Sequence, residues 1–168
     1  LMNNEAYQTK NALLTAQAAV CALHQSSDTA LCDTSCLLTG YGRIAKFLSR
    51  LLAAHGARVT VAARRESDRV LAEAERMNAV HIRELGDVLP EADAVFNTVP
   101  SRIFDEEALS RIRPGAVYME LASSPYGADI ELAQELGVNV QMEQGLPGRY
   151  FPVSAAKAIL HAVESEEI

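Results

Sequence analysis

A chain of 168 residues, 49% apolar and 22% charged, is sized for one domain with a sizeable core. Its formal net charge of -7 argues against a general nucleic-acid or anionic-membrane binder, so any affinity for phosphate has to be local. No apolar run approaches a membrane span, the polar N-terminus reads as helix rather than signal peptide, and the three cysteines (Cys21, Cys32, Cys36) form no CxxC pair, so no metal site and no disulfide framework is expected.

Leu1 precedes Met2, which fits a piece of a longer protein. Asn4 to Leu23 reads as an Ala-rich helix with Leu13, Ala16, Val20 and Leu23 on one face, followed by a polar linker from His24 to Thr34. Cys36 to Thr39 is a buried strand, too short and apolar to alternate. Arg43 to His55 is a helix with Ile44, Phe47, Leu48, Leu51 and Leu52 inward, stopped by Gly56. Arg58 to Ala62 is the second strand, and Ser67 is expected to cap a helix through about Met77.

Strands follow near Ala79 to Ile82 and at Ala94 to Asn97. Asp105 starts a short helix, Pro114-Gly115 turns into a strand at Ala116 to Glu120, and Tyr126 to Leu136 is a helix ended by Gly137. Val138 to Gln141 is the last strand, Gly145-Leu146-Pro147-Gly148 a rigid loop, and Pro152 opens a closing helix through about Glu164.

Strands and helices alternate with no hairpin signal, which predicts a doubly wound parallel sheet, a Rossmann-like α/β fold with a leading N-terminal and a closing C-terminal helix. The expected division is an interdomain or docking helix over 1–25, a dinucleotide-binding domain over 33–152 and a packed C-terminal helix over 153–168. Right-handed crossovers put the ligand at the carboxyl ends of the strands. The glycine turn, Arg64, Thr98, Ser123 and the Gly145 loop all follow strands and so share one rim.

Thr39-Gly40-Tyr41-Gly42-Arg43-Ile44-Ala45 is a GxGxxA turn between a strand and a helix. Gly40 allows the tight turn, Gly42 the approach of a pyrophosphate, and Ala45 close packing of the helix, whose N-terminus favours anions. About 20 residues on, where an NAD site carries an acid, the chain reads Ala62-Ala63-Arg64-Arg65. A 2′-phosphate suits a guanidinium fork there, with Arg64 first and Arg65 and Ser67 as helpers; the alternative is two solvated surface charges. Thr98, Val99, Pro100 and Ser101 are expected near the nicotinamide half or as a capped loop, and Gly145, Leu146, Pro147 and Gly148 beside the nicotinamide amide. Glu120 either braces a loop or moves a proton; with Ser123 it is the catalytic candidate. The four histidines read as structural.

These motifs, together with Asn97-Thr98-Val99-Pro100-Ser101, Glu120-Leu121-Ala122-Ser123-Ser124-Pro125-Tyr126-Gly127 and Gly145-Leu146-Pro147-Gly148, come in an order that resembles the dipicolinate synthase family, in its A-type subunit. The resemblance covers nearly the whole chain and corresponds to that family's C-terminal cofactor domain; the family's N-terminal substrate domain is missing. It implies NADP(H) and a cyclic dicarboxylate, 4-hydroxy-tetrahydrodipicolinate, dehydrated and oxidised to dipicolinic acid in sporulation. It also implies a flavoprotein-like B-type subunit as partner, a homo-oligomer as a further option, and a cytoplasmic (mother-cell) setting, with no membrane or nucleic acid. By position, Gly40, Gly42 and Arg43 would meet the pyrophosphate, Arg64 the 2′-phosphate, and Thr98 to Ser101 with Gly145 to Gly148 the nicotinamide side; Tyr41 and Ile44 complete the expected cofactor-binding set. Tyr126 and Ser124 depart from the family pattern, the latter where an Arg is frequent.

D-2-hydroxyacid dehydrogenases share the architecture, but their chemistry needs an Arg after the fifth strand and a His after the sixth, where this chain has Ser123 and a His-free stretch from Glu143 to Pro152. Alanine dehydrogenase-like domains resemble the Glu120-Leu121-Ala122 stretch but suit Arg64 poorly. A non-catalytic nucleotide-sensing module is the remaining alternative. With one domain of two, the chain is expected to bind NADP(H) without turnover.

Overall fold

The computed structural model describes residues 4–166. Residues 1–3 and 167–168, the outer ends of the expected docking and C-terminal segments, lie outside them. The strands are β1 (Ser35–Thr39), β2 (Arg58–Ala63), β3 (Asn78–His81), β4 (Ala94–Asn97), β5 (Val117–Glu120) and β6 (Asn139–Met142). They form one sheet in the order β3-β2-β1-β4-β5-β6, every pair parallel. The order reverses between β1 and β4, the topological switch point where such sheets open a crevice.

The helices are α1 (Glu5–Ser26), α2 (Arg43–Ala54), α3 (Glu66–Ala74), α4 (Leu85–Val88), α5 (Glu106–Ser110), α6 (Ile130–Glu135), α7 (Leu146–Tyr150) and α8 (Pro152–Glu166). Consecutive strand residues point to opposite faces, and both faces are apolar: Leu38, Phe96 and Met119 meet the α1, α2 and α7 side, while Leu37, Val95 and Tyr118 meet the α5 and α6 side. Phe104 packs edge-on against Tyr118 with ring centroids 5.1 Å apart.

α1 packs on α2, α7 and α8. Its buried residues are Ala12, Leu14, Thr15, Ala16, Ala18, Ala19, Ala22 and Leu23, mostly alanines that allow close approach; Leu13 and Val20, expected on the inward face, are only half-buried. α1 also runs on to Ser26, so the linker starts later than the sequence suggested and holds a 3-10 turn at Leu31–Asp33.

Three local expectations are corrected. α3 is capped by Arg65, and Ser67 sits exposed inside its first turn; the helix ends at Ala74 because the chain turns at Arg76, whose φ is +64°. α6 starts at Ile130 with Asp129 as its cap, since Tyr126 has a left-handed φ of +62° that no helix continues. Gly145 to Gly148 is not a loop: Gly145, at φ +65°, caps α7, and Pro147 lies in the first helical turn, where proline is tolerated. Helical turns over Ile82–Glu84, α4 and Leu89–Glu91 were not legible at all.

Candidate functional site

The register places Thr39, Asn97 and Glu120 side by side at the carboxyl edge of β1, β4 and β5. The Thr39 hydroxyl donates to Asn97 Oδ1 at 2.7 Å, and Asn97 Nδ2 donates to Glu120 Oε1 at 2.6 Å. Glu120 is fully buried and also accepts from the Tyr118 hydroxyl (2.9 Å), the Ala122 N–H (3.0 Å) and the Gly127 N–H (2.9 Å). Four donors on two oxygens make this carboxylate a brace for the rim rather than an acid or base open to a ligand. Burial, then the Glu120 charge, pushes the Tyr118 phenol well above the usual range, so it stays a proton donor to that carboxylate. A Cβ on Gly127 would collide with the Asn97 amide, which fixes the 123–127 turn, with its cis Ser124–Pro125 bond, against β4. Ser123 is exposed on that turn.

Asn97 extends the brace to the next loop. Its Nδ2 donates to the Val99 carbonyl at 3.0 Å, and the Val99 N–H donates to Oδ1 at 3.1 Å. The Thr98 hydroxyl donates to the Thr39 carbonyl at 2.7 Å. The loop after β4 is thus tied to the glycine turn. Gly40 has φ +81°, and a Cβ there would stand 2.8 Å from Val99 Cγ2, so a glycine is required twice over. A Cβ on Gly42 meets no atom within 4 Å; that flank faces open space, as a phosphate cradle needs.

Gly42 caps α2 without a side-chain hydrogen bond, and the first turn of α2 holds no acid. Its N-terminal N–H groups and positive dipole end remain available to an anion. A cleft of about 610 Å³ opens there, and Gly40, Tyr41, Gly42, Arg43, Arg64, Arg65, Val99 and Ser101 all line it. The Tyr41 side chain points away: it is buried, its ring lies under the Lys46 ammonium (5.6 Å), and its hydroxyl donates to Glu75 at 3.1 Å. Arg64 and Arg65 are exposed past the end of β2, and among the described residues neither guanidinium has a partner. Arg69 holds their turn by donating to the Ala63 and Arg64 carbonyls at 3.0 and 2.9 Å.

A second cleft of about 370 Å³ adjoins the first across Gly42 and Arg43; it takes in Ile44, Thr98 and the α1 residues Tyr7, Gln8 and Asn11. Ser67 and Pro100 line neither cleft. Nor do Gly145 to Gly148: Leu146 and Pro147 are buried under α1 and α8, a packing role. Sequence reasoning missed Lys46 and Asp68 in the first cleft. Lys46 is legible in retrospect, three residues after Arg43 and so on the same helix face. The α1 residues carry no sequence signal, because only tertiary packing brings them to the glycine turn.

A family model described as D-isomer specific 2-hydroxyacid dehydrogenase, NAD binding domain, matches residues 4–137. The A-type subunit of dipicolinate synthase from Bacillus subtilis (strain 168) is 30% identical over 155 residues, which are 91% of this chain and 52% of that protein. The crystal structure of the corresponding dipicolinate synthase subunit from Bacillus halodurans matches with a TM-score of 0.94 at 25% identity, over 98% of this chain and 57% of that one. The crystal structure of the Bacillus subtilis dipicolinate synthase polypeptide gives 0.92 at 26%, over 99% and 57%. A transhydrogenase from Sinorhizobium meliloti, at 0.67 and 17% over 93% and 53%, shares the fold. The chain spans about half the length of these relatives. No helix among the described residues is long and apolar enough to cross a membrane.

Proposed function

This chain belongs to the D-isomer specific 2-hydroxyacid dehydrogenase NAD binding domain family, and on that footing we propose that it is the NADP(H)-holding domain of an oxidoreductase of the dipicolinate synthase kind, in the A-type subunit. The observation that carries the choice of NADP is the pair of unpartnered guanidinium groups, Arg64 and Arg65, opening onto the first cleft where a ribose-binding acid would otherwise stand.

The residues present fit the group. Gly40 and Gly42 would bring backbone to the pyrophosphate at the N-terminus of α2, and Arg64 and Arg65, with Lys46 in the same cleft, would hold the 2′-phosphate. Val99 and Ser101, expected at the nicotinamide half, share the cleft with Arg64 and would border the adenosine half instead, while Ile44 and Thr98 would border the part that continues into the second cleft. A bound nicotinamide supplies hydride transfer. The chain's own residues bind and orient: the Glu120–Asn97 brace holds the two rim loops, and Glu120, with both oxygens engaged, serves that brace rather than proton transfer. The family's D-2-hydroxyacid chemistry does not follow from its domain, because Ser123 and the His-free Glu143 to Pro152 stretch stand where its Arg and His are needed.

The reaction we assign to the whole protein is therefore that of the similar synthase: a cyclic dicarboxylate oxidised with NADP, in the mother-cell cytoplasm and beside a flavoprotein-like partner of the B type. This chain alone is expected to bind the nucleotide without turning over substrate, since such sites form between two domains.

Asp68, which lines the same cleft, favours a second reading in which a carboxylate meets the ribose hydroxyls of NAD. Titration calorimetry with NADP, NADPH and NAD separates the two. NADP at least tenfold tighter than NAD supports the first reading; NAD equal or tighter overturns it.

A further inference from the structure

Resting on the dinucleotide reading above, we propose that Glu5 is a built-in carboxylate competitor for the pyrophosphate. It holds the Arg43 guanidinium and so sets how tightly the site takes any nicotinamide dinucleotide, phosphorylated or not.

Arg43 opens α2 directly after Gly42 and lines both clefts, so its side chain stands on the ridge a dinucleotide has to cross. That side chain is engaged. Arg43 Nε donates to Glu5 Oε1 at 3.1 Å and Nη2 to Glu5 Oε2 at 2.6 Å. This two-pronged geometry is one that guanidinium offers equally to carboxylate and to phosphate oxygens. Glu5 comes from the first turn of α1, whose Tyr7, Gln8 and Asn11 wall the second cleft. The first turn of α2 carries no acid, so Glu5 answers a cation that its own helix leaves unpaired.

Both partners are solvent-exposed, at 50% and 73% of their side-chain surface, so exchanging one anion for another at Arg43 costs little. When a diphosphate occupies the Gly42 flank, two arrangements exist. Arg43 gives up its two Glu5 hydrogen bonds to turn to the phosphate, or Arg43 stays on Glu5 and the phosphate loses a ligand. Either way the penalty runs through Arg43, for which Glu5 competes. The diphosphate is common to NAD and NADP, so this penalty falls on both, unlike discrimination at Arg64.

The test is Glu5→Gln, Arg43→Gln and the double variant of this chain, titrated with NADP, NADPH and NAD at low and high salt, with folding checked by circular dichroism. Glu5→Gln, an exposed substitution in a first helical turn, is expected to bind all three nucleotides about three- to fivefold tighter at low salt, the scale of a surface ion pair. The gain shrinks at high salt, where exposed charges are screened. Arg43→Gln weakens binding, and adding Glu5→Gln to it brings no gain. If the wild-type chain binds dinucleotide and Glu5→Gln leaves affinity unchanged or lower, or keeps its gain without Arg43, the competitor role is overturned while the dinucleotide reading stands. A wild-type chain that binds none of the three overturns both.

Discussion

Asn97 and Glu120 stand opposite each other in register on β4 and β5, and the 2.6 Å hydrogen bond between them ties the loop after β4, which lines the cleft, to the turn after β5. Glu120→Ala leaves the Asn97 amide, the Tyr118 hydroxyl and two backbone N–H groups without their acceptor. The expected cost is about 3–5 kcal/mol, the scale of breaking a buried charged network from one side. Glu120→Gln, which keeps shape and one acceptor oxygen, is expected to cost about 1–3 kcal/mol. Urea denaturation of the two variants checks both values and their order.

Arg64→Ala is expected to remove about 1.5–3 kcal/mol of NADP affinity, the worth of hydrogen bonds to a charged group. NAD affinity is expected to stay within about twofold, a change of under about 0.5 kcal/mol. Calorimetry on the variant decides; equal losses for both nucleotides would remove Arg64 from the 2′-phosphate.

Glu75 gives stability a defined pH dependence. The Arg50 hydrogen bonds hold its carboxyl below the usual range, helped by the Tyr41 hydroxyl and opposed by partial burial. A lowered folded-state value means stability that is present above the unfolded carboxylate pKa and lost as pH falls through the folded one. Glu75→Gln is expected to cost about 0.5–1 kcal/mol at pH 7. Denaturation midpoints of variant and wild type should converge as pH drops through that acidic window.

The cysteines separate by environment. Burial pushes the Cys36 thiol up to about 12, whereas Cys32 is exposed. Iodoacetamide at pH 8, followed by peptide mass spectrometry, is expected to label Cys32 at once and Cys36 only on unfolding. Because the folded value is raised, the Cys36 contribution to stability is full below the ordinary thiol range and is lost as pH climbs toward 12.

The sheet was legible because its evidence is local. Apolar runs of strand length, the GxGxxA turn and helical spacing in Ile44, Leu48 and Leu52 each lie within one segment. The errors came where tertiary contacts overrule local preference. Ser67 is a good cap by type, but Arg69 grips the Ala63 and Arg64 carbonyls and starts α3 with Arg65 as its cap. Leu13 and Val20 are more apolar than alanine, yet the residues α1 buries are mostly alanines, which let it pack closely on α2, α7 and α8. Of the site, the glycines and arginines showed in the sequence by type and spacing. The approach of Glu5, Tyr7 and Asn11 did not, since nothing near them in the chain refers to Gly42.

The Arg69 grip has an engineering consequence. It acts on backbone oxygens, so the shape of the turn after β2 does not depend on which side chain stands at Arg64. Selector and scaffold are separable there, and exchanging the guanidinium for a short acid offers a route to retargeting the pocket toward the unphosphorylated coenzyme without rebuilding the bend that presents it.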